Sequence, residues 1–343
     1  MKAVVFRDFG PPEVLRLEEV PTPQPRSGHV LVKVLATGLN RLEDYLRAGA
    51  VTRELALPHV LGSDCAGEVA ALGAGVSGFR VGERVVPLPG FPLQAQDADF
   101  APLSAAPSYA IGGILRWGTY AQYVEVPARW LLRDDTGLSP EEMATLPMVL
   151  VTAVRAVKTV GEVGPGKRVL VHAGASGTGS MNIQVARSLG SRVATTVDDD
   201  DKAAFARELG AELVMDVRHD DFVARVREWS GGGVDVVIDN LGGTVLPRSL
   251  QAARVGGTVV AMGFVTGQEA TIHVREFFFT HKRLLGTLMG DMDDFRWGLE
   301  QVRAGRIKPL LDRTFPLAEA AEAHRRLAAN RARGNFVLLP WAA

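Results

Sequence analysis

Cysteine is nearly absent from this chain: Cys65 is the only one in 343 residues. A single thiol excludes an internal disulfide and any zinc site built on several thiolates. The seven histidines are scattered, with no ligand-like spacing. No charge of one sign dominates, since 38 basic against 39 acidic residues leave a net −1. Nothing therefore points to nucleic acid as the main partner. Long hydrophobic runs are missing too. Stretches such as 144–157 are short and interrupted, so no membrane span is expected. The opening MKAVVFRDFG reads as a strand and not as a signal peptide, because no long apolar region or small-residue cleavage site follows. A cytoplasmic location is the expectation. What is present is a globular composition, 47% hydrophobic and 22% charged. The length exceeds the ~250–300 residues at which single cores stop growing, which predicts about two domains.

The texture changes along the chain. To about residue 125, short strand-like runs such as VLVKVLATGLN (30–40) and TYAQYVEVPA (119–128) alternate with Gly- and Pro-rich turns, as in a compact β-barrel-like domain. Residues 88–117 have no clear period, and an irregular stretch this long is often functional or mobile. From Ser139 helices appear: SPEE places an N-cap serine before a proline and two first-turn acids. Strands at 168–172, 192–197, 213–216, 234–239 and 257–263 then alternate with helices at 178–189, 200–209, 219–229 and 244–254. That alternation predicts a parallel, doubly wound sheet.

The most informative stretch is RVLVHAGASGTGSMNIQVARSLG (168–190). A β-branched run enters the turn Gly174-Ala175-Ser176-Gly177-Thr178-Gly179 and leaves it as a helix. Glycines allow the backbone to approach phosphates, and the helix N-terminus favours their charge. A second strand follows, then the acids Asp198–Asp201, which is the spacing of a β-α-β dinucleotide unit. The bland alternative is a tight turn with no ligand, and for the aspartates a helix cap and first turn. Lys202 adds a cation beside them, so the choice between NADH and NADPH stays open.

The order of motifs resembles the medium-chain dehydrogenase/reductase superfamily, in its zinc-independent, quinone-oxidoreductase-like and enoyl-reductase branch. The likeness runs from MKAVVF through GLNRLEDYLRAG (38–49), LGSDCAGEV (61–69), ALGAGVSGFRVGERVV (71–86), GTYAQYV (118–124) and LPMVLVTA (146–153) to VDVVIDNLGG (234–243). It implies an α/β fold: a Rossmann doubly wound sheet, residues 127–267, inserted in a split, β-rich GroES-like catalytic domain, 1–126 plus 268–343. The active cleft is then expected between the two. Zinc-dependent relatives carry a cysteine near Asn40 and a histidine near Ser63; neither is here, and 88–117 lacks the four cysteines of their structural zinc lobe. No zinc is expected. Ser176 stands where many relatives have glycine, and Val197 where NAD-specific zinc relatives have Asp.

Without a metal, hydride from a nicotinamide can still add to a quinone or to the β-carbon of an α,β-unsaturated carbonyl, because conjugation already activates the acceptor. The resemblance assigns Asn40, Tyr45 and Thr152 to the catalytic centre. Asn40 would donate an amide hydrogen bond, Tyr45 would orient the carbonyl or deliver a proton, and Thr152 would touch the nicotinamide carboxamide. The plain alternatives are a turn residue, an aromatic packed beside Leu42 and Leu46, and a helix threonine bonded to its own backbone. Coenzyme contacts are expected from Gly174, Ser176, Gly177, Thr178, Gly179, Asp198, Lys202, Asn240, Gly263, Phe264 and Asn335. Asp64 reads as a structural acceptor, Cys65 as a small buried residue, and His172 as a packing residue. The expected partners are a small-molecule or acyl-thioester substrate and further copies of the chain, as a homodimer or homotetramer. The competing readings are a non-catalytic nucleotide-binding protein and an alcohol dehydrogenase.

Overall fold

A computed structural model describes residues 1–329 and 333–342. The chain forms two compact units: Met1–Met148 with Pro309–Ala343 (unit 1), and Val149–Lys308 (unit 2).

Unit 1 opens with β1 (Lys2–Phe6) and β2 (Arg16–Glu19), followed by its spine, β3 (His29–Gly38). Val30, Val32, Val34 and Ala36, two apart along β3, are completely buried, as the period of a strand dictates. Helix α1 (Arg41–Arg47) follows at once, and then come β4 (His59–Val60), β5 (Ala66–Leu72) and β6 (Arg84–Pro87). The stretch 88–117 holds one small antiparallel pair, β7 (Gly90–Pro92) with β8 (Tyr109–Ile111). Strands β9 (Tyr123–Pro127) and β10 (Leu131–Arg133) complete this part. Strand β3 pairs antiparallel with both β5 and β9, and two register shifts against β5 bend it. Helix α2 (Pro140–Ala144) starts as its sequence predicts: Ser139 Oγ accepts from the Glu142 N–H (3.1 Å), while Glu142 Oε2 accepts from the Ser139 N–H (2.9 Å). Helix α3 (Pro147–Val154) follows.

Unit 2 runs β11 (Arg168–Val171), α4 (Gly177–Ser188), β12 (Arg192–Val197), α5 (Asp200–Glu208), β13 (Leu213–Asp216), α6 (Phe222–Ser230), β14 (Val234–Asp239), α7 (Leu246–Ala252), β15 (Ala253–Ala261), α8 (Val274–Phe279), β16 (Arg283–Gly286) and α9 (Met292–Arg303). Its six strands are all parallel, in the order β13-β12-β11-β14-β15-β16. This is the Rossmann arrangement, with the order reversing at β11. Helix cover on both faces explains why β11 and β14 read as nearly continuous apolar runs. The sequence reading ended this domain at 267. Instead, β16 pairs with β15 and carries residues 268–308 into unit 2, so the expected boundaries shift to 149 and 308. Strand β15 is consequently internal, and β16 is the edge.

The chain then returns to unit 1 as β17 (Leu311–Pro316), α10 (Ala320–Ala328) and β18 (Asn335–Leu339). Strand β18 pairs parallel with β17 and antiparallel with the end of β3, matching Val337 with Gly38 and Leu338 with Thr37. Among the described residues no helix is long and apolar enough to cross a membrane.

Candidate active site

In unit 2, β11 delivers the chain to its glycine turn, and the Gly174 N–H donates to the Thr196 carbonyl (2.9 Å) on the neighbouring strand. A Cβ at Gly179 would collide with the Ala173 carbonyl, and one at Gly174 with Thr195 Oγ1. Both glycines are therefore fixed by close approach. Ser176 caps α4, its Oγ accepting from the Gly179 N–H (3.0 Å) and donating to the Ala173 carbonyl (2.8 Å). The serine that departs from the glycine pattern thus has a structural reason. As first-turn residues of α4, Gly177 and Thr178 keep N–H groups with no acceptor inside the helix.

A second loop is built on Asp239, the last residue of β14, which is fully buried. Its Oδ1 accepts from the Leu241 and Gly242 N–H groups (both 2.9 Å), and its Oδ2 from Ser249 Oγ (2.7 Å). Ser249 Oγ lies 2.9 Å from His172 Nε2, and His172 Nδ1 lies 3.1 Å from Thr196 Oγ1. Every donor is satisfied if Nε2 carries the proton. Burial pushes His172 down to about 4, so it is neutral and packs edge-on against Phe222, as expected. The loops after β14 and β15 are laced together, because the Thr266 N–H donates to the Leu241 carbonyl (2.8 Å) and Thr266 Oγ1 to that of Gly242 (2.7 Å). Gly263 abuts the Asn240 carbonyl too closely for a Cβ, while Phe264 is half exposed.

Three buried polar atoms of unit 2 have no partner among the described residues: Thr152 Oγ1, Asn240 Oδ1 and Asn182 Oδ1. Two of the three side chains were expected from the sequence. Asn182 was not, although an asparagine in the middle of α4 was a usable signal. At the end of β12, Asp199 caps α5 through the Lys202 N–H (2.7 Å), and the Lys202 ammonium sits on Asp198 (2.7 Å) and Asp199 (3.3 Å).

In unit 1, β3 and the start of α1 meet the segment before β5 in a buried quartet. Asn40 Nδ2 donates to Asp64 Oδ2 (2.9 Å) and Ser63 Oγ (3.2 Å). Ser63 Oγ donates to Glu43 Oε1 (2.7 Å), and Glu43 Oε2 accepts from the Asn40 N–H (2.7 Å). Asp64 Oδ1 accepts from the Met148 N–H (2.8 Å) in the first turn of α3. Loss of hydration raises Glu43 to about 7 and holds Asp64 well above the usual carboxylate range. Asn40 therefore spends its amide hydrogens inside the protein, a use the sequence did not disclose. Tyr45 lies one turn along α1 and is partly exposed. Burial raises the Cys65 thiol, in keeping with a packing role. Asn335 donates from Nδ2 to the Thr145 carbonyl (2.8 Å), which braces β18 against α2.

The quartet holds no thiolate or imidazole, and its carboxyl oxygens are occupied within the quartet and by the Met148 N–H. No group of three or more His, Cys, Asp and Glu suited to a metal exists among the described residues. This donor set does not fit a tetrahedral zinc.

The family model described as an alcohol dehydrogenase GroES-like domain matches residues 26–136, and that described as zinc-binding dehydrogenase matches 177–304. A 2-haloacrylate reductase of Burkholderia sp is 33% identical, covering 100% of this chain and 99% of the relative. A quinone oxidoreductase of Rattus norvegicus is 30% identical, over 99% and 98%. Among solved structures, an NAD-dependent alcohol dehydrogenase superposes with a TM-score of 0.94 at 36% identity, covering 99% of both chains. A 2-octenoyl-CoA carboxylase reductase in complex with NADP and 2-octenoyl-CoA reaches 0.91 at 26%, over 98% of this chain and 87% of the other.

Proposed function

This chain belongs to the medium-chain dehydrogenase/reductase superfamily, in its quinone-oxidoreductase-like branch, and from that premise we propose a nicotinamide-dependent, metal-free reductase of conjugated C=C bonds or quinones. One observation carries the reading: a complete dinucleotide turn accompanies a former zinc position that is now amide, hydroxyl and carboxyl. The names of two relatives fit, since 2-haloacrylate and 2-octenoyl-CoA are both alkenes conjugated with a carbonyl.

When bound, the reduced nicotinamide supplies the hydride. The N–H groups of Gly177 and Thr178, with the α4 dipole, are assigned to the pyrophosphate. The unpartnered atoms of Thr152, Asn182 and Asn240 are assigned to polar groups of the coenzyme, Thr152 to the carboxamide, while Gly263 and Phe264 line its path. Asp198, directly after β12, accepts from the ribose hydroxyl, and Lys202 is neutralised by its own aspartates, which favours NADH over NADPH. Tyr45 donates to the substrate oxygen as negative charge develops there. Asn40 keeps Asp64 and Ser63 in place beside it. Asn335 braces α2 and is given no coenzyme contact.

Assembly is proposed through β16, the exposed edge of the sheet. Phe278, Phe279, Val274 and Leu288 are exposed near it, and antiparallel pairing of two β16 strands gives a homodimer.

The test is oxidation of NADH and of NADPH against an enone, an enoate, an enoyl-CoA and p-benzoquinone, with and without a chelator. Chelator-insensitive turnover is expected, with Tyr45→Phe lowering kcat about 10- to 100-fold. Tight coenzyme binding without turnover on any acceptor would establish a non-catalytic nucleotide-binding protein. Alcohol-dependent coenzyme reduction abolished by the chelator would establish an alcohol dehydrogenase.

A further inference from the structure

Arg116 lies in 88–117, the apolar, irregular stretch whose composition suits a cleft wall. Its guanidinium stacks on Phe91 (4.4 Å to the ring centroid), and Phe91 is itself clamped against Trp130 (5.8 Å, 12° between planes). Stacking fixes the plane of the fork but satisfies none of its N–H groups. Nε is sealed from solvent without a partner, and no carboxylate pairs with this arginine among the described residues. Burial pushes it down to about 10, and the ionisable groups that bear on it are Cys65 and Tyr109, both neutral. The Tyr109 hydroxyl is likewise buried with no partner. The carboxyl of Asp64, next in sequence to Cys65, has both oxygens engaged, by Asn40 and by the Met148 N–H.

The position matters as much as the charge. A Cβ at Gly112 would stand 3.2 Å from Arg116 Nη2 and 3.1 Å from Ser63 Cα. Arg116 Nη2 and the backbone of Ser63, a member of the quartet, thus flank the same glycine. Arg116 is only partly exposed, and a cation so desolvated without a counter-ion is relieved when a planar anion fills the fork.

We propose that Arg116 and Tyr109 form a carboxylate-binding subsite, so that the preferred substrates are α,β-unsaturated carboxylates rather than neutral quinones or thioesters. This rests on the reductase reading for the word substrate, but the subsite itself can be tested without turnover.

The experiment is calorimetric titration of the coenzyme-free protein with crotonate and with its neutral analogue crotonamide. Crotonate is expected to bind about tenfold tighter or better, a preference lost in Arg116→Gln, reduced in Arg116→Lys and reduced severalfold in Tyr109→Phe. Melting curves report whether each variant folds, and if Arg116→Gln does not, the other two decide. Equal affinity for the two probes in the unmodified protein, or a preference that survives in folded variants, overturns the subsite. Failure of the reductase reading shows elsewhere, as absent coenzyme oxidation with a crotonate preference intact.

Discussion

At the level of single residues, Glu43 has the clearest consequence. Its folded value of about 7 lies above its ordinary 4.5, so the folded state holds a proton that the unfolded chain has lost. Its contribution is complete below 4.5 and disappears as the pH rises through about 7. Stability should fall across that window by about 3 kcal/mol at most. Chemical denaturation at several pH values should show that slope, and Glu43→Gln should flatten it. Asp198 gives a second test. Replacing it with alanine should raise KM for NADH about tenfold and leave KM for NADPH unchanged or lower, as steady-state kinetics with both coenzymes would reveal. Asp198 was already expected to touch the coenzyme from its place after the second strand, whereas the Glu43 effect was not legible in the sequence. The Glu43 acid was visible, but its surroundings come from residues 20 positions away, as Ser63 does.

Elements were far more readable than their contacts. Strands β12, β13 and β14 begin and end where the sequence places them, because each is a short run rich in apolar or β-branched residues and closed by turn or cap residues. The glycine turn was equally plain. Its reinforcement was not: the Asp239–Ser249–His172–Thr196 chain joins four separate elements, and no local pattern announces it. The edge of the sheet was not legible for a related reason, since an apolar run such as GTVVAMGFV looks the same in an internal strand and in an edge. Helix α4 offers the element-level prediction. Ser176→Ala should cost about 1 kcal/mol by removing the cap. Gly179→Ala should cost about 1–3 kcal/mol and reduce coenzyme affinity more than tenfold, because the Ala173 carbonyl is backbone and cannot step aside. Thermal melts and coenzyme fluorescence titration would measure both.

For the molecule as a whole, the first question is how many copies assemble. Sedimentation velocity should give a dimer, and Phe278→Asp with Phe279→Asp should return it to monomers without abolishing coenzyme binding. A monomeric unmodified protein would remove β16 as an interface. The second point is the order in which the molecule can be made. Unit 2 is one uninterrupted segment, whereas the strand that completes unit 1 beside Gly38 is synthesised after it. On the ribosome, the nucleotide half can finish folding while the wall bearing Asn40 still waits for its closing strand. The fold is thus assembled from the inside of its chain outward, and the sheet that carries Asn40 closes only after the nucleotide half has been made.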